Sequence, residues 1–265
     1  MNTAAIHNHI SNKVSNSGGQ ALELYNSLRC MTTEDGGVHP LSLGLTKENM
    51  APIMKEFLTF STSFPYIQAG AHQKIFEQFI LKGKPVPEAI EKTFVVGTFL
   101  VWDELGGHHT IMSQGQKGLS DILLTFKFHY NIFQKNLSAI LGEDIGLGHS
   151  KVTLDYLSAI SEGLSDLNVL NRLAHMVAFE MHAGEIVESI WNALKSLYPD
   201  INNKDLLYFN IHVGGDDPAE AYHVDMTIRL LADIVSPDDK EEFLSKFKAA
   251  YGLHIDWCNK LVRAN

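Results

Sequence analysis

The sequence predicts an all-α protein, a bundle of seven or more helices, and three observations carry that prediction. Apolar residues recur at helical spacing through long stretches, most clearly Leu170, Leu173, Ala174, Val177, Ala178, Ile186, Ile190, Trp191 and Leu194. That pattern buries one face of a helix. Prolines and glycine pairs punctuate the chain at helix-length intervals, as helix starts and stops require. No stretch alternates apolar and polar residues between hairpin turns, so the strand signature is missing.

The elements follow in chain order. Residues 1–17 are polar and predict a mobile N-terminus, while 18–265 read as a single helical domain, since no repeat, low-complexity tract or linker divides them. A short helix is predicted from Gln20 to Met31, ended by Gly36, Gly37 and Pro40. Thr46 caps a helix whose Met50, Ile53, Met54 and Phe57 share a face, and Pro65 predicts a bend before a second segment from Tyr66 to Leu81. Pro85 and Pro87 restart the chain, and a helix from Glu88 runs through Phe94, Val95, Phe99, Val101 and Trp102 to Gly106 and Gly107. Helical character from Gly118 to Leu141, a glycine-rich loop and a helix from about Lys151 precede the long helix over 168–197. Two more are predicted from Lys204 to His212 and from Asp217 to Val235. Ser236 and Pro237 then start a last one taking in Phe243 to Leu261.

Composition narrows the function. The 265 residues are 45% hydrophobic and 20% charged, enough for a substantial core. Lys and Arg number 21 against 31 Asp and Glu, a formal charge of -10, which opposes nucleic acid and anionic membrane as partners. Cys30 and Cys258 stand near opposite ends of the chain, in no metal-like spacing, so neither a disulfide scaffold nor a zinc ribbon is expected. The first residues lack the apolar run of a signal peptide, and the expected location is the cytoplasm. The 13 histidines demand an explanation.

Three segments concentrate polar residues on helices that otherwise read as core: Asp103 to His109, Ala178 to His182, and Phe209 to His223. On an unbroken helix Glu104 and His108 lie about 40° apart and one turn apart in height, so a carboxylate and an imidazole converge on one ion, while His109 points elsewhere. With His212 as origin, Asp216 falls at about 40°, Glu220 at about 80° and His223 at about 20°, one stripe of a continuous helix. Glu180 follows the apolar run Met176 to Phe179, and a buried carboxylate requires a metal, a cation or a proton. The candidate metal ligands are therefore Glu104, His108, Glu180, His212, Asp216 and His223. Mixed carboxylate and imidazole ligation with open positions suits iron or manganese that binds oxygen. His7, His9, His39, His72, His129, His149, His175, His182 and His254 read as exposed, capping or core histidines. Phe126, Phe128, Tyr130 and Phe133 read as core.

At these residues the chain resembles the haem-oxygenase-like di-iron oxidase family, within the superfamily that includes thiaminase II, pyrroloquinoline-quinone synthase C and the chlamydial death-domain-associating protein. The resemblance runs from His39 onward. His39 to Met50 is similar to the family's opening segment, Trp102 to Gly106 to its first ligand helix, and Phe209 to Asp216 to its third. It implies a seven-helix bundle with a central site, where two irons activate dioxygen and oxidise a small organic substrate such as an amino acid or a fatty acid. Glu104 and Glu180 would carry the chemistry, in a homodimer. Two departures bear on the site. The family places its last histidine three residues after the aspartate, where this chain has Ala219, with His223 seven residues on. This leaves Asp216 with His223, or Glu220 with His223, for the second iron. Gly106 and Gly107 likewise leave His108 or His109 as the first helix's histidine. Three other readings stand beside this one. They are a cofactor-free thiaminase-like enzyme with a cysteine nucleophile, a haem enzyme using His7 or His9, and a metal-free helical binding module with a structural polar centre.

Overall fold

The computed structural model describes residues 19–32, 38–115, 121–202, 206–213 and 219–264. Among them there is no strand. The helices are α1 (Gly19–Cys30), α2 (Pro40–Gly44), α3 (Lys47–Gln78), α4 (Glu88–Glu104), α5 (Gly107–Gln114), α6 (His129–Leu141), α7 (Lys151–Leu164), α8 (Val169–Leu197), α9 (Leu207–His212), α10 (Ala219–Ile234) and α11 (Lys240–Ala264). The expectations on residues 1–17, including His7 and His9, lie outside the described residues. No described helix is long and apolar enough to cross a membrane.

Local chemistry sets the boundaries. Thr46 and Asn49 form a reciprocal capping box at the start of α3, which satisfies two backbone donors that the first turn leaves open. Pro65 does not bend the chain into two helices as the sequence predicts: α3 runs through both Pro52 and Pro65 to Gln78. Proline removes one backbone donor and crowds the carbonyl four residues back. Pro65 is itself buried, as are Ser61, Phe64 and Gln68 around it, so packing on both sides of the proline holds the helix together. Ser150 caps α7 through the Thr153 amide, and its own amide and hydroxyl donate to the buried Glu56 carboxylate on α3. Ser236 caps the turn that leads into α11.

α8 forms the spine. α11 lies along it, α3 packs against α4 and α7, and α10 bridges α4 and α8. Phe57, Phe133, Phe209, Phe243, Phe247 and Trp257 are fully buried in one continuous core, each contributing roughly 1.5–3 kcal/mol by leaving water. Trp257 stacks on Tyr156 at 4.3 Å and donates to Thr153, which fixes α11 against α7. Phe126, read as core from sequence, is 67% exposed, whereas Phe133, seven residues on, is completely buried.

α4 ends at Glu104, and Gly106 takes a left-handed φ of +73° before α5 begins at Gly107. The single helix on which Glu104 and His108 share a face is therefore broken between them. The stripe joining His212 to His223 is broken too, since α9 ends at His212 and α10 begins at Ala219.

Candidate metal centre

Three helix ends meet in the interior. Glu104 is the last residue of α4, His129 the first of α6 and His212 the last of α9. Glu104 Oε2 lies 3.6 Å from His129 Nδ1, and Glu104 Oε1 lies 3.7 Å from His212 Nε2. One donor atom from each lies within 4.8 Å of the other two, and the two imidazoles meet edge to face.

The protonation of His212 is dictated by its backbone. Its Nδ1 sits 2.8 Å from the Tyr208 carbonyl, which can only accept, so Nδ1 carries the proton. In the neutral ring Nε2 then presents a lone pair to the Glu104 carboxylate. Two acceptors facing each other across 3.7 Å are stable only around a cation or a proton, and a histidine steered by a carbonyl on its far nitrogen is a standard metal-ligand arrangement. His129 makes the same case from the other side. It is 2% exposed, and among the described residues its nearest polar neighbour is the Glu104 carboxylate, 3.6 Å from Nδ1 and just beyond hydrogen-bond length. Burial pushes the Glu104 carboxyl up, but a proton carried toward it on His129 or His212 outweighs burial and holds the group well below the usual carboxylate range.

A second set of polar residues gathers beside it, around Asp103. His223 Nε2 lies 3.2 Å from Asp103 and its Nδ1 lies 3.3 Å from Glu180, so one imidazole spans two acids. His108 Nδ1 lies 3.8 Å from Asp103. Phe99 meets the rings of both His108 and His223 edge-on, closing one side.

The structure thus divides the residues proposed from sequence. Glu104 and His212 converge with each other. His108 and His223 meet Asp103 rather than Glu104, with Glu180 on the far side of the His223 ring, and the turn at Gly106 ends the helical face that Glu104 and His108 would have shared. Asp216 lies outside the described residues, as do the side chains of His109 and Glu220. Two residues join that sequence reasoning missed. Asp103 is adjacent to Glu104, and its inward face follows from the helical wheel once two sites are considered. His129 stands 25 positions from Glu104 on a different helix, so no spacing in the sequence connects them.

Gly106 ties the two sides together. A Cβ there would meet the Lys127 carbonyl oxygen at 2.6 Å, and Lys127 lies two residues before His129. Gly106→Ala is expected to lower stability by about 1–2 kcal/mol from left-handed strain alone. It should also weaken ferrous-ion affinity by moving His129 relative to Glu104. Chemical denaturation and an iron titration on the same variant check both effects.

A cavity of about 40 Å³ opens against Glu104 and His212, walled by Phe57, Phe64, Phe179, Ile186 and Tyr208. It has room for dioxygen or a water or two. Of the two cysteines, Cys30 is exposed and Cys258 is buried beside His182.

Two solved structures of a CADD-like protein of unknown function from Nostoc punctiforme PCC 73102 are similar to this chain. One matches with a TM-score of 0.69 at 17% identity, covering 93% of this chain and 99% of that one. The other matches with a TM-score of 0.66 at 15% identity, covering 93% and 96%. No family model and no curated protein matches. At these identities the likeness establishes the fold, an all-α bundle of the haem-oxygenase-like kind.

Proposed function

We propose that this protein is a non-haem iron oxidase or oxygenase that uses dioxygen on a small organic substrate. The observation that carries the reading is the tautomer of His212: its Nδ1 proton is committed to the Tyr208 carbonyl, which aims Nε2 at Glu104 beside the buried ring of His129. Two imidazoles and a carboxylate suit non-haem iron with open positions. Glu104, His129 and His212 would hold one ion, while His223 beside them bridges Asp103 and Glu180 through its two ring nitrogens rather than converging with them on a second. Iron bound there supplies the electrons and open positions that dioxygen activation requires.

The chain's own residues do the rest. Tyr208 orients His212 through the carbonyl bond and also walls the cavity. Glu104 offsets the positive charge of an ion that burial would otherwise penalise. Phe57, Phe64 and Phe179 give the space beside it apolar walls, which favours dioxygen over water.

The test is anaerobic addition of ferrous iron to the purified protein, a metal count per chain, and exposure to oxygen with the visible spectrum followed in time. Tight binding of one or two irons, with oxygen-dependent oxidation of the bound metal, is the expected result. Protein that binds no iron, and whose stability is unchanged by ferrous ion, would replace this reading with that of a helical binding module. In that case the double contact of His223 with Asp103 and Glu180 is a structural network.

A further inference from the structure

We infer that His39, His182 and Cys258 form a second, thiolate-containing metal site, built for zinc and separate from the carboxylate centre. The three residues come from elements far apart in sequence: His39 caps α2, His182 lies midway along α8, and Cys258 faces inward from α11. His182 and Cys258 are 1% and 0% exposed.

The spacing matches the ion. His39 Nε2 and His182 Nε2 are 3.2 Å apart, and Cys258 Sγ is 3.8 Å from His182 Nε2. All three donor atoms lie within 4.8 Å of one another. A tetrahedral zinc ion with bonds of about 2.05 Å to nitrogen and about 2.3 Å to sulfur separates two nitrogens by about 3.3 Å, and nitrogen from sulfur by about 3.6 Å. Two imidazoles and one thiolate are a ligand set for zinc, whereas iron or magnesium centres favour carboxylate.

Without a metal the trio is short of lone pairs. The Leu41 amide donates to His39 Nδ1 at 3.3 Å, which leaves the neutral ring's proton on Nε2, pointing at His182 Nε2. The Cys258 thiol is directed at that same nitrogen. On loading, the His39 proton moves to Nδ1, the Cys258 thiol releases its proton to solvent, and bonds form from zinc to two Nε2 atoms and to Sγ. The Leu41 amide then gives up a long contact. It belongs to the first turn of α2, where backbone donors have no partner within the helix.

A cysteine nucleophile is the rival use of the same residues. Cys258 is sealed from solvent, so no substrate atom reaches it.

The test uses the full chain, stripped with a chelator and titrated with cobalt(II) as a spectroscopic stand-in for zinc. A thiolate-to-cobalt charge-transfer band in the near ultraviolet is expected to grow to one equivalent, to be bleached by added zinc, and to disappear in Cys258→Ser. It should persist in Cys30→Ser. The carboxylate centre contains no sulfur, so it cannot produce that band, and its failure to bind iron leaves this outcome unaffected. Absence of the band at saturating cobalt, or its survival in Cys258→Ser, overturns the assignment. His39→Ala removes a ligand at the partly exposed end of the trio and gives an independent check. It should weaken cobalt binding at least tenfold, and unchanged affinity would also overturn the site.

Discussion

Glu104→Gln is expected to weaken ferrous-ion binding by roughly 100-fold or more, since changing even the outer partners of metal ligands costs 10–100-fold. The substitution keeps the shape of the side chain and removes its charge. In the metal-free protein the same change should move stability by only about 1 kcal/mol. The glutamine amide can donate to the His212 Nε2 lone pair, replacing a repulsive acceptor pair with a hydrogen bond, while the attraction between Glu104 and His129 is lost. Affinity and stability are therefore separable at this position. An iron titration and a thermal melt on the same sample measure both. A variant that binds iron like the unaltered protein but melts far earlier would show that Glu104 serves packing and not a metal.

The second large effect concerns pH. His39, His182 and His254 lie together, with His182 and His254 stacked at 4.7 Å. Burial lowers all three, His39 to about 4 and His254 to about 3. The unfolded chain takes up protons at these positions from about pH 6.5 downward, whereas the folded chain does so only near pH 4 and below. Between those limits the unfolded state binds more protons, so stability falls as pH falls, by about 1.4 kcal/mol per pH unit for each site. Three sites together give a slope of about 4 kcal/mol per unit, large against a typical total of about 5–15 kcal/mol. Glu104, held low, adds a loss of the same sign at more acidic pH. Urea titrations of metal-free protein at pH 7, 6 and 5 should show the midpoint dropping steeply. A flat profile would mean that these histidines are solvated or already protonated in the fold.

Most of the architecture was legible because it follows from periodicity and punctuation. The apolar stripe of α8 and the Ser236–Pro237 start of α11 are local signals, and the structure has helices in both places. Pro65 misled because a proline's local cost was opposed by burial of the residues around it, which no local rule reads. The site was legible only in part for a related reason. Glu104 and His212 sit in segments whose polar residues interrupt an apolar pattern, so each is conspicuous by itself. The break at Gly106 reassigned His108 to Asp103, a change that follows from one backbone angle. His129 opens a helix with no spacing to any partner, and only the meeting of three chain segments gives it a role. His39, His182 and Cys258 were hidden in the same way, since no spacing in the sequence connects them.

The donors of the carboxylate centre stand at the termini of α4, α6 and α9, where backbone amides and carbonyls have the fewest partners inside their own helices. These are the places from which a helix frays. An ion gripped there would act as a rivet joining three otherwise loose ends, so its greatest influence would fall on how often the bundle's middle breathes open. Its influence on the distant, densely packed aromatic contacts between α7 and α11 would be correspondingly small.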